Sequence, residues 1–346
     1  MGDIAKGVLG GAWALLVGWI VPTALNLSVF LLVVAQGRES LGPIERIWPG
    51  TRPSMSLVLL VGSVLAGLVL HALQNTLYRL LEGYVLWPAR LAALGRGRRL
   101  RAKHDLRDRA ALLRLERREQ EGRLRPEAAA ELARLREDPR TARLAHPDRG
   151  RTAAQRAMLQ ERLARYPVSD EQIAPTRLGN AIRRFEEYGY DRFRLDTQVM
   201  WHELTGAAPD AVGRQVELAR TRVDFFVALF YGHGVVALSA LVGLLAPRPQ
   251  PGLQVASAAV LVALMPVWYW SAVTATDEWA AAVRALVNLG RKPLAESLGY
   301  SLPPALEDER TMWTMVCRLS RLPYHERASA LDPYRARPPD EATRPQ

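Results

Sequence analysis

The residues best equipped for chemistry lie in stretches where charge is scarce. His71, Asn75, Tyr78 and Glu82 recur at helical spacing in the apolar run after Pro53. At about 100° per residue they fall within an arc of about 60°. A stripe this narrow must face other helices or a water-filled cavity, because lipid solvates neither ions nor amides. It reads either as the lining of an ion or solute path, with Glu82 near its inner mouth, or as interhelical hydrogen bonds that end in an interfacial Tyr and Glu. Ser63 and Gly67 place small residues beside the same face and allow close helix approach. His233, flanked by Gly232 and Gly234 in a second charge-free run, is either a proton or ligand site or a buried hydrogen-bonding ring. Asp224 stands at the edge of that run beside Arg220 and Arg222, where a surface ion pair is expected.

Signatures of catalysis are missing. There is no phosphate-cradling glycine run, and Gly95-Arg96-Gly97-Arg98 reads as a basic turn. Trp201-His202-Glu203-Leu204 begins like a zinc-protease helix, but Gly206 occupies the position where a second histidine ligand would be needed. Glu186, Glu187, Asp191, Asp196 and His202 are dense without a recognised ligand spacing. Cys317 is the only cysteine, so neither an internal disulfide nor a cysteine zinc site can form. Asn26-Leu27-Ser28 matches the glycosylation pattern but falls inside an expected span. The expectation is a non-enzyme with no catalytic residue, metal site or cofactor.

The elements that must position these residues are membrane helices. Gly7 to Gln36 carries no charge and exceeds the roughly 20 residues that cross a bilayer. It is also about twice as long as a signal-peptide core, which runs roughly 7–15 residues. A second span is read over about 54–78, continuing as helix toward Trp87-Pro88. Spans three and four cover about 223–246 and 253–276, and the turn-forming Pro247 to Gly252 joins them as an antiparallel hairpin. Small residues at Gly7, Gly10, Gly11, Ala14 and Gly18 stripe span one, a weak signal of close packing or a homo-oligomer. Pro22 and Pro266 are placed to kink spans one and four, and Trp268-Tyr269-Trp270 suits an inner aromatic belt.

Charge sets the orientation. The chain has 346 residues, a net charge of +11 and a mean hydropathy of −0.06 that averages two unlike kinds of sequence. Residues 88–220 hold 29 Lys and Arg against 20 Asp and Glu, nine of the eleven net positive charges. Basic residues retained between two hairpins indicate the cytoplasmic side before they indicate a nucleic acid, which is not the expected partner. Both termini then lie inside as well. The fold class is all-α: a polytopic membrane protein with four transmembrane helices in two hairpins and a helical cytoplasmic domain between them. The expected divisions are a first hairpin over 1–87, a basic helical domain over 88–220, a second hairpin over 221–276, C-terminal helices over 277–329 and a disordered tail over 330–346. Within the basic domain, helices are expected at about 99–121, 126–137, 152–166, 175–187 and 195–204. After span four, Gly290-Arg291-Lys292-Pro293 is expected to break the helix, and another helix follows at 304–322.

Pro175-Thr176, Leu178-Gly179-Asn180, Tyr188-Gly189-Tyr190-Asp191 and Trp201 to Leu204 resemble a segment of multi-pass membrane proteins of actinobacteria. The Leu302-Pro303-Pro304 turn and the helix from Glu309 to Trp313 extend the resemblance, which covers roughly Pro175 to Leu322. It implies a bacterial cytoplasmic membrane and the same four-span plan. It brings no activity, and the Arg-rich stretch from Arg98 to Arg165 lies outside it. Two functional expectations remain. The first is a membrane scaffold whose cytoplasmic domain binds an unidentified protein partner. The second is a homo-oligomeric ion channel in a bestrophin-like arrangement, an analogy of fold alone.

Overall fold

The computed structural model describes residues 11–35, 52–142, 149–245, 250–322 and 326–336. In chain order the helices are α1 (Gly11–Val33), α2 (Arg52–Ala72), α3 (Gln74–Glu82), α4 (Ala89–Gln120), α5 (Pro126–Glu137), α6 (Pro139–Ala142) and α7 (Arg149–Leu163). They continue as α8 (Arg177–Glu186), α9 (Tyr188–Phe193), α10 (Trp201–Ala207), α11 (Asp210–Gly243), α12 (Pro251–Ser297) and α13 (Leu306–Leu319). The protein is all-helical, with no strand among the described residues. Among the described residues three helices, α1, α11 and α12, are each long and apolar enough to cross a membrane. The pair α2 and α3 passes the same test only as one element, bent by 59° at Leu73. Contacts divide the chain into two units, residues 1–78 with 189–346 and residues 79–188.

In the first unit, Pro22 has no N–H for the carbonyl one turn back, and the preceding turn widens into a π-helical ring at Leu16–Ile20. The Thr23 hydroxyl donates to the Trp19 carbonyl there at 2.6 Å. Small residues set how closely the helices approach. A Cβ on Gly18 would stand 3.2 Å from the Asp224 Cβ, and one on Gly67 would stand 2.9 Å from Ile20 Cγ1. Gly11, in the small-residue stripe, has nothing within 4 Å, and Gly7 and Gly10 lie outside the described residues.

These contacts also fix the helix directions. Along α1, Gly18, Asn26 and Val33 meet Thr221 and Asp224, then Gly232, then Val236 to Ala240 on α11, so the two helices run parallel. Leu27 meets Gly62 and Ile20 meets Gly67, so α2 runs antiparallel to α1. Arg222 pairs with Glu278, Phe230 meets Tyr269 and Gly234 meets Met265, so α11 and α12 are antiparallel. Val33, Val236, Ala237, Ala240, Ala258 and Leu261 form one apolar cluster across α1, α11 and α12.

Beyond the apolar stretches the first unit departs from expectation in three places. Helix α12 runs 47 residues without stopping at Gly290 to Pro293, about 70 Å at about 1.5 Å per residue. Pro293 removes one backbone bond, but that turn is held from the side. Gly290 packs against Leu204 and Ala208, and Leu294 and Ala295 are buried. The helix expected from Leu195 begins only at Trp201, because Arg194 takes a φ of +61° and the Asp196 carboxylate accepts from the Gln198 and Val199 N–H groups. The tail expected to be disordered from Ala330 starts inside a 3₁₀ helix, Glu326–Tyr334. Leu331 buries there and the Ser301 N–H donates to the Tyr334 carbonyl, while 337–346 lie outside the described residues.

In the second unit α4 and α5 fold back on each other through Gly122, which adopts a φ of +65°. Leu112, Leu115, Leu132 and Leu135 close the hairpin with Ala111, Leu124 and Ala128 around them. The exposed faces carry most of the charge, while Lys103 and Glu116 are buried. Helix α8 starts at Thr176, whose hydroxyl accepts from the Gly179 N–H at 3.0 Å.

Candidate functional site

The bend at Leu73 separates the stripe residues. His71 belongs to α2, while Asn75, Tyr78 and Glu82 follow on α3, so a single-helix projection no longer describes them. His71 meets the Trp19 ring edge-on with centroids 6.1 Å apart, and its buried Nδ1 has no hydrogen-bond partner among the described residues. Asn75 is exposed. Tyr78 is buried, and its hydroxyl donates to Asp224 Oδ1 at 2.7 Å.

Asp224 is the centre of this group. It is only 6% exposed, which overturns its expected place in a surface ion pair. Besides Tyr78, its carboxyl accepts from the Trp19 side chain, and Arg220 Nε stands 3.9 Å from Oδ2. Arg220 also donates to Gln74 Oε1 at 3.3 Å and lies over the Trp279 ring. Arg222, the other expected partner, instead pairs with Glu278. An isolated buried carboxylate is costly, whereas one with several converging donors can be held in an apolar bundle. The arrangement therefore clasps α1, α3 and α11 together.

A second polar group lies further along the same two helices. His233 Nδ1 is 2.8 Å from Asn26 Oδ1, and Asn26 Nδ2 donates to the Pro22 carbonyl at 2.8 Å. With Asn26 Oδ1 as acceptor, the imidazole proton sits on Nδ1. The ring meets Trp268 edge-on at 5.7 Å. A Cβ on Gly232 would stand 2.2 Å from Asn26 Nδ2, so the glycine before His233 makes room for the amide. Nine residues separate Asp224 from His233, about 13.5 Å along the helix at about 1.5 Å per residue. Tyr231, between them, donates to the Leu77 carbonyl at 2.8 Å just past the bend.

Sequence reasoning missed Asn26 and Trp19. Asn26 was set aside with its glycosylation pattern, although any amide inside an apolar span signals an interhelical partner. Nothing in the sequence singles out Trp19, whose ring is 1% exposed, as a donor.

Glu82 belongs to the second unit, in one neighbourhood with Glu186, Arg79 and Arg183. Burial pushes the Glu186 carboxyl up, with Arg183 opposing. The resemblance residues that follow do structural work. The Thr176 hydroxyl donates to the Glu82 carbonyl at 3.1 Å, and the Asn180 side chain closes a loop on Ala174. A Cβ on Gly179 would stand 2.7 Å from the Glu82 carbonyl oxygen. Of the dense acidic set, Glu186 and Glu187 fall in the second unit, and Asp191, Asp196 and His202 in the first. Among the described residues no group of three or more His, Cys, Asp or Glu is arranged to hold a metal ion. No protein-family model, curated protein or solved structure matches the chain.

Proposed function

We propose that the chain is a non-enzymatic scaffold of a bacterial cytoplasmic membrane that crosses the bilayer four times and offers its basic helical segment to a protein partner. In this reading residues 1–87 and 221–276 hold the two hairpins, and residues 88–220, residues 277–346 and the N-terminus are cytoplasmic. The observation that carries the reading is the pairing of Asp224 with Tyr78, Trp19 and Arg220. The polar atoms gathered at Asp224 are used on one another, whereas a conduction path or a catalytic site needs them facing water or substrate. Helix directions support four crossings: α1 and α11 are parallel, and α2, packed antiparallel along α1, is the element able to return the chain between them. The excess of basic residues in 88–220 supports the orientation. Capture of the solubilised protein at near-native expression tests the scaffold. The full chain should retain a cytoplasmic protein that a deletion of 98–165 loses, and recovery of no stable partner would sink the idea.

A homo-oligomeric channel is the second reading, favoured by Asn75. This amide is exposed on a single chain at the end of an apolar stretch, where a second copy would cover it. Planar-bilayer recording of the purified protein should then show currents altered by His71→Ala or Glu82→Ala. Silence across voltages and salts would dispose of it.

A further inference from the structure

A cavity of about 290 Å³ lies between the α9 end of the first unit and α13. Arg194, Arg318 and Arg321 line it with a single carboxylate, Asp196, alongside Tyr190 and Cys317. Asp196 is already committed: Arg321 binds its Oδ2, and its Oδ1 accepts two backbone N–H groups. Among the described residues Arg194 and Arg318 make no ion pair, and the Arg318 guanidinium makes no hydrogen bond. Two guanidinium groups thus face the cavity without a counter-charge.

Arg194 is also held in a backbone conformation that side-chain-bearing residues rarely adopt, with φ at +61°. The turn is fixed on both sides, by the Arg194 N–H on the Tyr190 carbonyl and the Leu195 N–H on the Gly189 carbonyl. It sends the guanidinium back over the Tyr190 ring, 4.7 Å from the centroid, where its donors border the cavity. Glycine would take this conformation without strain, so the turn alone gives no reason for an arginine.

We propose that this cavity binds a small, soluble phosphate-bearing molecule, held by the Arg194 and Arg318 guanidinium groups. Planar, forked donors match phosphate oxygens. The volume is at the low end for ligand sites, which suits a phosphorylated metabolite of mononucleotide size and excludes a macromolecule. The source is soluble rather than a lipid headgroup because of where the cavity sits along α12. Gly189 packs near Val287, and the Arg291 guanidinium lies over Phe193. Those α12 positions are 11 and 15 residues past Thr276, where the fourth span ends in the four-span reading, about 16–22 Å beyond it at about 1.5 Å per residue.

The chain carries its own reporter. Cys317 is the only cysteine, lines the cavity and accepts from the Asp196 N–H through its sulfur. Cys317 is buried at the cavity wall and burial pushes its thiol up, so alkylation of the free protein should be slow and should respond to an occupant of the cavity. The experiment measures maleimide labelling and thermal unfolding of the full detergent-solubilised chain with AMP, inorganic phosphate, adenosine or dioctanoyl phosphatidic acid. AMP and phosphate should slow labelling at least about 3-fold and raise the melting temperature, and adenosine should do neither. Arg318→Ala should abolish both effects with the unliganded melting temperature unchanged, since the Arg318 side chain pairs with nothing else among the described residues. Arg194→Gly, which relieves the backbone, should also abolish them. The site is overturned if neither anion changes labelling or melting, or if both variants respond like the wild type. A response to the phosphatidic acid alone would overturn the soluble ligand and give the phosphate to a lipid.

Discussion

Asp224 in the first unit and Asp170 in the second each gather several donors, yet their surroundings differ. Tyr78, Trp19 and Arg220 converge on Asp224, which is 6% exposed. Lys103 and His104 converge on Asp170, each at 2.7 Å, with 44% of its side chain open to solvent. Water can replace a lost partner at Asp170 and cannot at Asp224. Polar residues of the apolar bundle therefore work as sets, in which each member's value depends on the others. In the helical second unit most ion pairs are individually replaceable.

The largest break in this comparison should come from Gly232→Ala. The new Cβ would stand 2.2 Å from Asn26 Nδ2 and 2.4 Å from its Cγ, and the amide is tied to both Pro22 and His233. Overpacking and the lost bond together should cost about 2–3 kcal/mol. Thermal unfolding in detergent reads it, and an unchanged melting temperature would mean that the amide turns away freely and that the Asn26 and His233 pair holds nothing.

Tyr78→Phe comes next. It removes a hydroxyl from a buried carboxyl while keeping the ring against Trp279. A hydrogen bond to a charged group gives a loss of about 2 kcal/mol, whereas neutral pairs between membrane helices average about 0.6 kcal/mol. Combining it with Asp224→Leu should recover part of the loss, because no buried carboxyl is then left short of the Tyr78 donor. A double variant as unstable as the sum of the two single ones would show that the residues do not act as a set.

How far the sequence foretold this arrangement varied with the physics involved. Helical class and apolar spans were legible because they rest on composition over long windows, which local detail cannot alter. The α5 boundaries, Pro126–Glu137, were read to the residue because Pro126 at the first turn and Pro139 just past the last mark them. The bend at Leu73 was not legible: no proline or glycine stands there, and the backbone bonds from Leu73 to Val69 and from Leu77 to Leu73 persist. It depends on partners distant in sequence, such as Tyr231 on the Leu77 carbonyl. Of the site, His71, Tyr78 and His233 were found from polarity in apolar surroundings. Which residues they meet was not, since Trp19, Asn26 and Asp224 are brought to them by packing between helices. Asn75 shared the periodicity and remained exposed. Period alone places a residue on a face and says nothing of what covers that face.

The smallest effect, and the one that sharpens the comparison from its solvated side, belongs to Asp170. Its bonds to Lys103 and His104 hold the carboxyl down to about 2, against an ordinary 3.8. A carboxyl whose folded value is depressed stabilises the fold above the unfolded value, and that contribution fades as pH falls from there through the folded one. The window is therefore about pH 4 down to about pH 2, with the full contribution present at neutrality. Because solvent screens so exposed a pair, Asp170→Asn should lower the melting temperature only slightly at pH 7. The gap between wild type and variant should then narrow steadily as pH is lowered through that window. A gap that stays constant would mean that the carboxylate acts through its shape, by hydrogen bonds the amide can imitate, rather than through charge. The same substitution at Asp224 should cost more at pH 7, since its amide keeps one acceptor oxygen but turns an NH2 group toward the donors of Tyr78, Trp19 or Arg220, and no water takes up the mismatch.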